Sequence, residues 1–267
     1  MIVHTALGNV GVDAEGEGVP LVLLHGFPHD RSLWAPQLAA APSGVRVLAP
    51  DLPGFGESAS LADASFDSWA DGLAGLLDAL RMERAIVGGL SMGGYLAFAF
   101  WRRHPERVRA LVLADTRPGA DSDEARTNRR ALQGLARAEG AAAVADRMIT
   151  GMVGRTTREK RPAVVATVNT MMRRVSIPAI TDALDAMMER EDSTATLETI
   201  RVPTLVMCGE EDALTPVSES RAMHAAIVGS SLALIPNAGH VSNLEAPEVF
   251  NGLLYGFTLA TIRGTPS

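Results

Sequence analysis

Ser91, His240 and Asp212 are three residues of this 267-residue chain whose types, taken together, can cleave a carbonyl compound. Ser91 stands in Ala85-Ile86-Val87-Gly88-Gly89-Leu90-Ser91-Met92-Gly93-Gly94, an apolar run that passes through Gly-x-Ser-x-Gly into a helical pattern. A serine on so tight a strand-to-helix turn is pushed into the open. Side chains two positions before or after it would collide across the turn, which Gly89 and Gly93 avoid. The helix that follows aims its N–H groups and positive dipole end at the same point, where charge forming on a carbonyl oxygen is stabilised. An ordinary serine in a glycine-rich turn is the plainer reading of the pentapeptide; its position after a buried strand favours a nucleophile.

A serine hydroxyl attacks only once a base takes its proton, so a histidine and an orienting carboxylate are expected at later strand ends. Thr204–Cys208 is followed by Gly209-Glu210-Glu211-Asp212, and Leu232–Ile235 by Pro236-Asn237-Ala238-Gly239-His240. Asp212 is the favoured acid, with Asp115, at the end of Ala110–Leu113, and Glu210 or Glu211 as alternatives. Among the other histidines, His4 is terminal, His104 and His224 fall on helices, and His25 and His29 flank the exit of the Leu21–Leu24 run. That exit, Leu24-His25-Gly26-Phe27-Pro28, offers the backbone N–H of Phe27 as an oxyanion donor beside that of Met92. Trp34 and Asp115 are candidate pocket residues.

The elements that must carry these residues are legible as short β-branched runs bounded by turn residues, the pattern of buried parallel strands. They are Leu21–Leu24, Val45–Ala49, Ala85–Gly88, Ala110–Leu113, Thr204–Cys208 and Leu232–Ile235. Helical patterns lie between them at Phe66–Leu80, Met92–His104, Val217–Val228 and Pro247–Thr261, the third with Thr215 as its cap and Pro216 at its first position. The alternation predicts an α/β fold with a doubly wound, mostly parallel sheet that binds ligands beyond the carboxyl ends of its strands. From 117 to 200 the strands vanish. That segment reads as an all-helical cap, broken near Gly140, Gly151, Gly154, Ser176 and Asp192, inserted in a core made of 1–116 and 201–267. The cap holds Met148, Met152, Met171, Met172, Met187 and Met188 and no Phe, Trp or Tyr. Core filling is their plainer role; an adaptable wall over a ligand is the other.

Composition removes several functional classes. A net charge of −7 argues against a nucleic-acid partner, which needs a basic stripe to displace counterions. All but one of the 24 basic residues are Arg, and the single Lys160 follows Glu159, so no phosphate-binding Gly-Lys loop exists. No dinucleotide fingerprint or zinc spacing occurs, so no cofactor and no metal are expected. Cys208 is the sole cysteine and cannot form an internal disulfide. No run of 18 apolar residues and no secretion signal is present, which predicts a cytoplasmic protein without a membrane partner. Nothing in the sequence specifies an oligomeric state.

In order and combination, His25-Gly26-Phe27-Pro28, Asp51-Leu52-Pro53-Gly54-Phe55-Gly56-Glu57-Ser58, Gly89-Leu90-Ser91-Met92-Gly93-Gly94, Gly209-Glu210-Glu211-Asp212 and Gly239-His240 resemble the α/β-hydrolase superfamily. The resemblance spans nearly the whole chain. It points to the capped branch of esterases, enol-lactonases and cofactor-free, haloperoxidase-like perhydrolases. Ser32-Leu33-Trp34-Ala35-Pro36-Gln37 and the segment from His240 to Pro247 are similar to the enol-lactonase group, whereas His-Gly-Phe-Pro is more typical of esterases and perhydrolases. The resemblance implies an eight-stranded sheet and a serine hydrolase with a catalytic triad and oxyanion hole, acting on a small-molecule ester or lactone. Relatives with Asp at the elbow are dehalogenases and epoxide hydrolases; Ser91 disfavours both. A non-catalytic ligand receptor on the same fold is the remote alternative.

Overall fold

The computed structural model describes residues 1–264. Strands β1 (Ile2–Thr5) and β2 (Gly8–Glu15) open the chain as an antiparallel hairpin. Strands and helices then alternate through β3 (Gly18–Leu24), α1 (Ala35–Ala39), β4 (Gly44–Pro50), α2 (Phe66–Ala79), β5 (Ala85–Leu90), α3 (Met92–Arg103) and β6 (Val108–Ala114). Among the described residues, five helices follow with no strand between them: α4 (Asp123–Met152), α5 (Arg155–Lys160), α6 (Pro162–Arg173), α7 (Ile177–Glu189) and α8 (Thr194–Leu197). The alternation resumes with β7 (Thr204–Gly209), α9 (Val217–Ala226), β8 (Ser231–Ile235), α10 (Ser242–Glu245) and α11 (Pro247–Arg263).

The strands form one eight-stranded sheet in the order β1-β2-β4-β3-β5-β6-β7-β8. From β4 to β8 each neighbouring pair runs parallel. Every residue of β5 is buried, as a strand covered on both faces requires, and this is why it reads as an unbroken apolar run. Parallel strands with a common direction bring their carboxyl ends to one rim, so the residues after β3, β5, β6, β7 and β8 converge there.

The flanking helices are built from their apolar faces. In α2, Trp69, Leu73, Leu76 and Leu77 recur at helical spacing and are buried, and Ser65 and Ser68 close a reciprocal capping box at its start. The helix α3 is buried continuously from Met92 to Trp101, so its small residues and aromatics pack on all sides. All six sequence-read strands are present, extended by one to three residues.

The β1–β2 hairpin has no apolar run to announce it, because β2 is only partly buried and its partner across the sheet is the antiparallel β4. At α9 the cap position is held by Pro216, and the helix starts at Val217. Thr215 is not the cap, because its hydroxyl is drawn to a charged acceptor, the Asp212 carboxylate 2.5 Å away. Within the helical stretch α4 breaks at Gly140, whose φ of 83° lies in the region that favours glycine. Five of its six methionines, Met152, Met171, Met172, Met187 and Met188, are buried.

Candidate active site

Ser91 follows the last residue of β5 and precedes α3, with φ 55° and ψ −113°. A non-glycine residue held there is strained, and the surrounding contacts hold it in place. The Ser91 N–H donates to the Ala114 carbonyl at 3.0 Å, continuing the β5–β6 ladder. Its own carbonyl accepts from the Gly94 N–H at 2.9 Å and from the Thr116 hydroxyl at 2.8 Å. The glycines around it are required by space: a methyl group on Gly89 would run into the Gly93 carbonyl, and one on Gly93 into the Leu24 carbonyl.

His240 comes from the turn after β8 and is buried. Its Nε2 lies 2.8 Å from Ser91 Oγ and its Nδ1 2.8 Å from Asp212 Oδ2. The network assigns the tautomer: the Ser91 hydroxyl donates to Nε2 and Nδ1–H donates to Asp212. Asp212 follows β7. Its Oδ1 accepts the N–H groups of Leu214 at 2.8 Å and Thr215 at 2.9 Å, which fixes the carboxylate before the imidazole binds it. Burial pushes the Asp212 carboxyl up, but His240 and Thr215 outweigh it and hold it below the ordinary carboxylate value. For His240, burial pulls the imidazole down, and the charge and hydrogen bond of Asp212, with Asp115 and Glu245 behind them, raise it above the ordinary value.

Phe27 and Met92 both lie in this neighbourhood. Met92 is the first residue of α3, where helical N–H groups lack intrahelical acceptors. The loop carrying Phe27 passes so close that a methyl group on Gly26 would stand 3.2 Å from Ser91 Cβ. His25 is committed to that loop: its Nδ1 donates to the Gly26 carbonyl at 3.0 Å and its Nε2 accepts the Leu52 N–H at 2.9 Å. Asp115 is fully buried and accepts from Gly209 and Ser242. Trp34 is buried with its ring tilted against Phe250. Glu210 and Glu211 stand apart from the imidazole; Glu211 holds the Thr156 N–H at 2.7 Å and its hydroxyl at 2.6 Å, at the start of α5.

The sequence alone assigns no role in the site to Glu245 and Ser242, and it marks Thr215 only as a helix cap. Buried Glu245 accepts the Gly239 N–H at 2.9 Å and the Gly154 N–H at 2.8 Å, so one carboxylate joins the histidine turn to the helical segment. Their proximity to His240 and Asp212 in sequence was the available signal. An open cleft of about 550 Å³ lies between the two halves of α4, lined by Leu132, Leu135, Met148, Gly151 and Leu214, the last two positions beyond Asp212.

His29 is buried beside this cluster, and neither ring nitrogen has a hydrogen-bond partner among the described residues. Burial, with His25 and His240 against it, holds its imidazole down to about 3. Between the ordinary value and that one, the unfolded chain binds a proton that the folded chain refuses, so stability falls as pH falls. From pH 7 to pH 4.5, His29→Leu is expected to lose roughly 2–3 kcal/mol less than the parent protein. Urea unfolding at the two pH values measures this; equal losses in both proteins refute it.

A serine on a strand-to-helix turn, met by an imidazole and a carboxylate from two later strand ends, has the layout of the α/β class of hydrolases. The sequence profile of the alpha/beta hydrolase fold matches residues 19–247. The chain belongs to that family, and hydrolysis is the reaction class that its family and esterase relatives support. It is 36% identical to a thermophilic esterase from Thermogutta terrifontis solved with malate bound, with a TM-score of 0.93 over 98% of each chain. It is 27% identical to the enol-lactonase from Burkholderia xenovorans LB400, with a TM-score of 0.89 over 97% of this chain and 100% of that one. It is also 46% identical over 106 residues to a 2-hydroxymuconate semialdehyde hydrolase from Pseudomonas sp. (strain CF600), a match spanning 37% of this chain and only 36% of that protein. No helix among the described residues is long and apolar enough to cross a membrane.

Proposed function

We propose that the protein is a serine hydrolase of small carboxylic esters working through an acyl-enzyme. The observation that carries this reading is the unbroken relay from Ser91 Oγ to His240 Nε2 and from His240 Nδ1 to Asp212, each step 2.8 Å. Ser91 Oγ bonds to the acyl carbon as its proton passes to His240. The carbonyl oxygen becomes an oxyanion facing the backbone N–H groups of Phe27 and Met92, a pair of donors of which each is worth about 3–4 kcal/mol in such sites. Collapse of that intermediate breaks the ester bond, and His240 returns the proton to the departing alcohol. Water then attacks the acyl-enzyme with His240 again as base, releasing the acid and restoring the serine. Asp212 stabilises the imidazolium formed in each half-reaction.

In this reading residues 117–200 act as a cap over the rim, between core segments 1–116 and 201–267. The similarity to an esterase along almost the whole chain supports ester cleavage. The similarity to an enol-lactonase favours lactone opening as the second reading, since the same relay serves an internal ester.

A fluorophosphonate phosphonylates an activated serine, whose oxygen bonds to phosphorus as fluoride leaves. Incubation with it, followed by peptide mass mapping, is expected to place a single adduct on Ser91. Absence of an adduct, or its appearance on another serine, overturns the reading. A panel of alkyl esters of graded length beside aliphatic lactones then separates the two substrate classes.

A further inference from the structure

We propose that Asp115 is a positioning residue for the proposed ester hydrolysis, its carboxyl clasping together the turn that carries Asp212 and the turn that carries His240. The proposal rests on that functional reading. Asp115 follows β6, and its N–H donates to the Met207 carbonyl at 2.9 Å, extending the β6–β7 pairing by one residue. Its φ of 47° is unusual for a residue with a side chain. Oδ1 accepts the N–H of Gly209, the last residue of β7, at 2.8 Å, three residues before Asp212. Oδ2 accepts the hydroxyl of Ser242 at 2.5 Å, two residues after His240. One carboxyl thus grips the base of the acid turn and the far side of the base turn.

A carboxyl is a costly group to bury for tethering alone, because taking it out of water is offset only if its oxygens are well satisfied. Here it also stands in a second acidic position: polar atoms of Asp115, Cys208 and Asp212 all lie within 4.8 Å of one another. Burial and the neighbouring Asp212 push the Asp115 carboxyl well above the ordinary carboxylate value, against the pull of His240, Ser242 and the Gly209 N–H. The Cys208 thiol beside it is pushed up by burial and by both carboxylates, so it stays protonated. The groups that face His240 are Asp212, Asp115 and Glu245, which raise it, and burial opposes them; its own charge in turn reaches His29. The ionised form of Asp115 is among the groups that raise His240, so a side chain at 115 that cannot ionise lowers the pH at which His240 gives up its proton. The effect on rate comes from geometry, because an acid and base displaced by about 1 Å lose on the order of 100-fold.

Asp115→Ala, Asp115→Asn and Ser242→Ala, assayed on p-nitrophenyl butyrate with full pH profiles, test this. Asp115→Ala is expected to lower kcat roughly 100-fold with KM within about threefold, and Ser242→Ala roughly 10-fold. Asn keeps an acceptor for Gly209 and a donor for Ser242, so Asp115→Asn should recover most of kcat while its acid limb of kcat/KM moves to lower pH. A purely structural role would lower the amount of folded protein without moving that limb. Should Asp115→Ala fail to fold, the other two variants decide: parental kcat in both, together with an unmoved acid limb in Asp115→Asn, overturns the proposal. Fluorophosphonate labelling of the parent protein keeps the two failures apart. Parental labelling with indifferent variants sinks only the role of Asp115, whereas no labelling sinks the functional reading beneath it.

Discussion

Ser91→Ala is expected to lower kcat on a short activated ester about 10⁴-fold or more, with the folded protein otherwise intact. The size follows from what the proposed mechanism asks of the hydroxyl: without it no acyl-enzyme forms, and the remaining oxyanion donors can only polarise a substrate that water must attack unaided. His240→Ala should fall to a similar level, and the double variant should be little worse than either single one, because the two act as a unit. The stability cost of Ser91→Ala is one hydrogen bond to His240, about 1 kcal/mol. Steady-state kinetics beside urea unfolding measure both quantities. Ester turnover within tenfold of the parent protein would place the nucleophile elsewhere.

The second large effect concerns the turn itself. Gly93→Ala pushes a methyl group into the carbonyl of Leu24 and close to that of His25, at the end of the central strand β3. Backbone of a paired strand cannot step aside as a flexible side chain could, so a loss of roughly 3 kcal/mol is expected, with loss of esterase activity as the turn distorts. Gly75 is the contrast. It lies inside α2 with open space around the position of a Cβ, and alanine there should stabilise by about 0.5–1 kcal/mol. Opposite signs from the same substitution, read by urea unfolding, check the steric argument; a mild effect at Gly93 refutes it.

The serine was legible in the sequence because its requirements are local: an apolar strand, a glycine on either side at a spacing of two, and a helix after it. His240 and Asp212 were legible because parallel strands deliver their following residues to one rim, so position after a strand substitutes for coordinates. The partners of these residues were not. Glu245 meets Gly154, and Asp115 meets Ser242, only because turns 91 and 127 positions apart are folded against each other. Thr215 shows the same difficulty in miniature. A threonine before proline is a fair helix cap, yet here the hydroxyl had a charged alternative that no local rule reveals. The N-terminal hairpin shows no apolar run because β1 lies at the sheet's edge and β2 beside it is only partly buried, so both mix polar and apolar residues.

The helices α4 to α8 depart from the end of β6 and return to the start of β7, and those two strands are direct neighbours, with Leu111 paired to Thr204 and Ala114 to Met207. They are therefore a single enlarged crossover between adjacent strands. Its length and composition can drift over generations without shifting any strand by a residue. Under the proposed function, that link can alter which substrate is admitted while Ser91, Asp212 and His240, seated after β5, β7 and β8, keep their places.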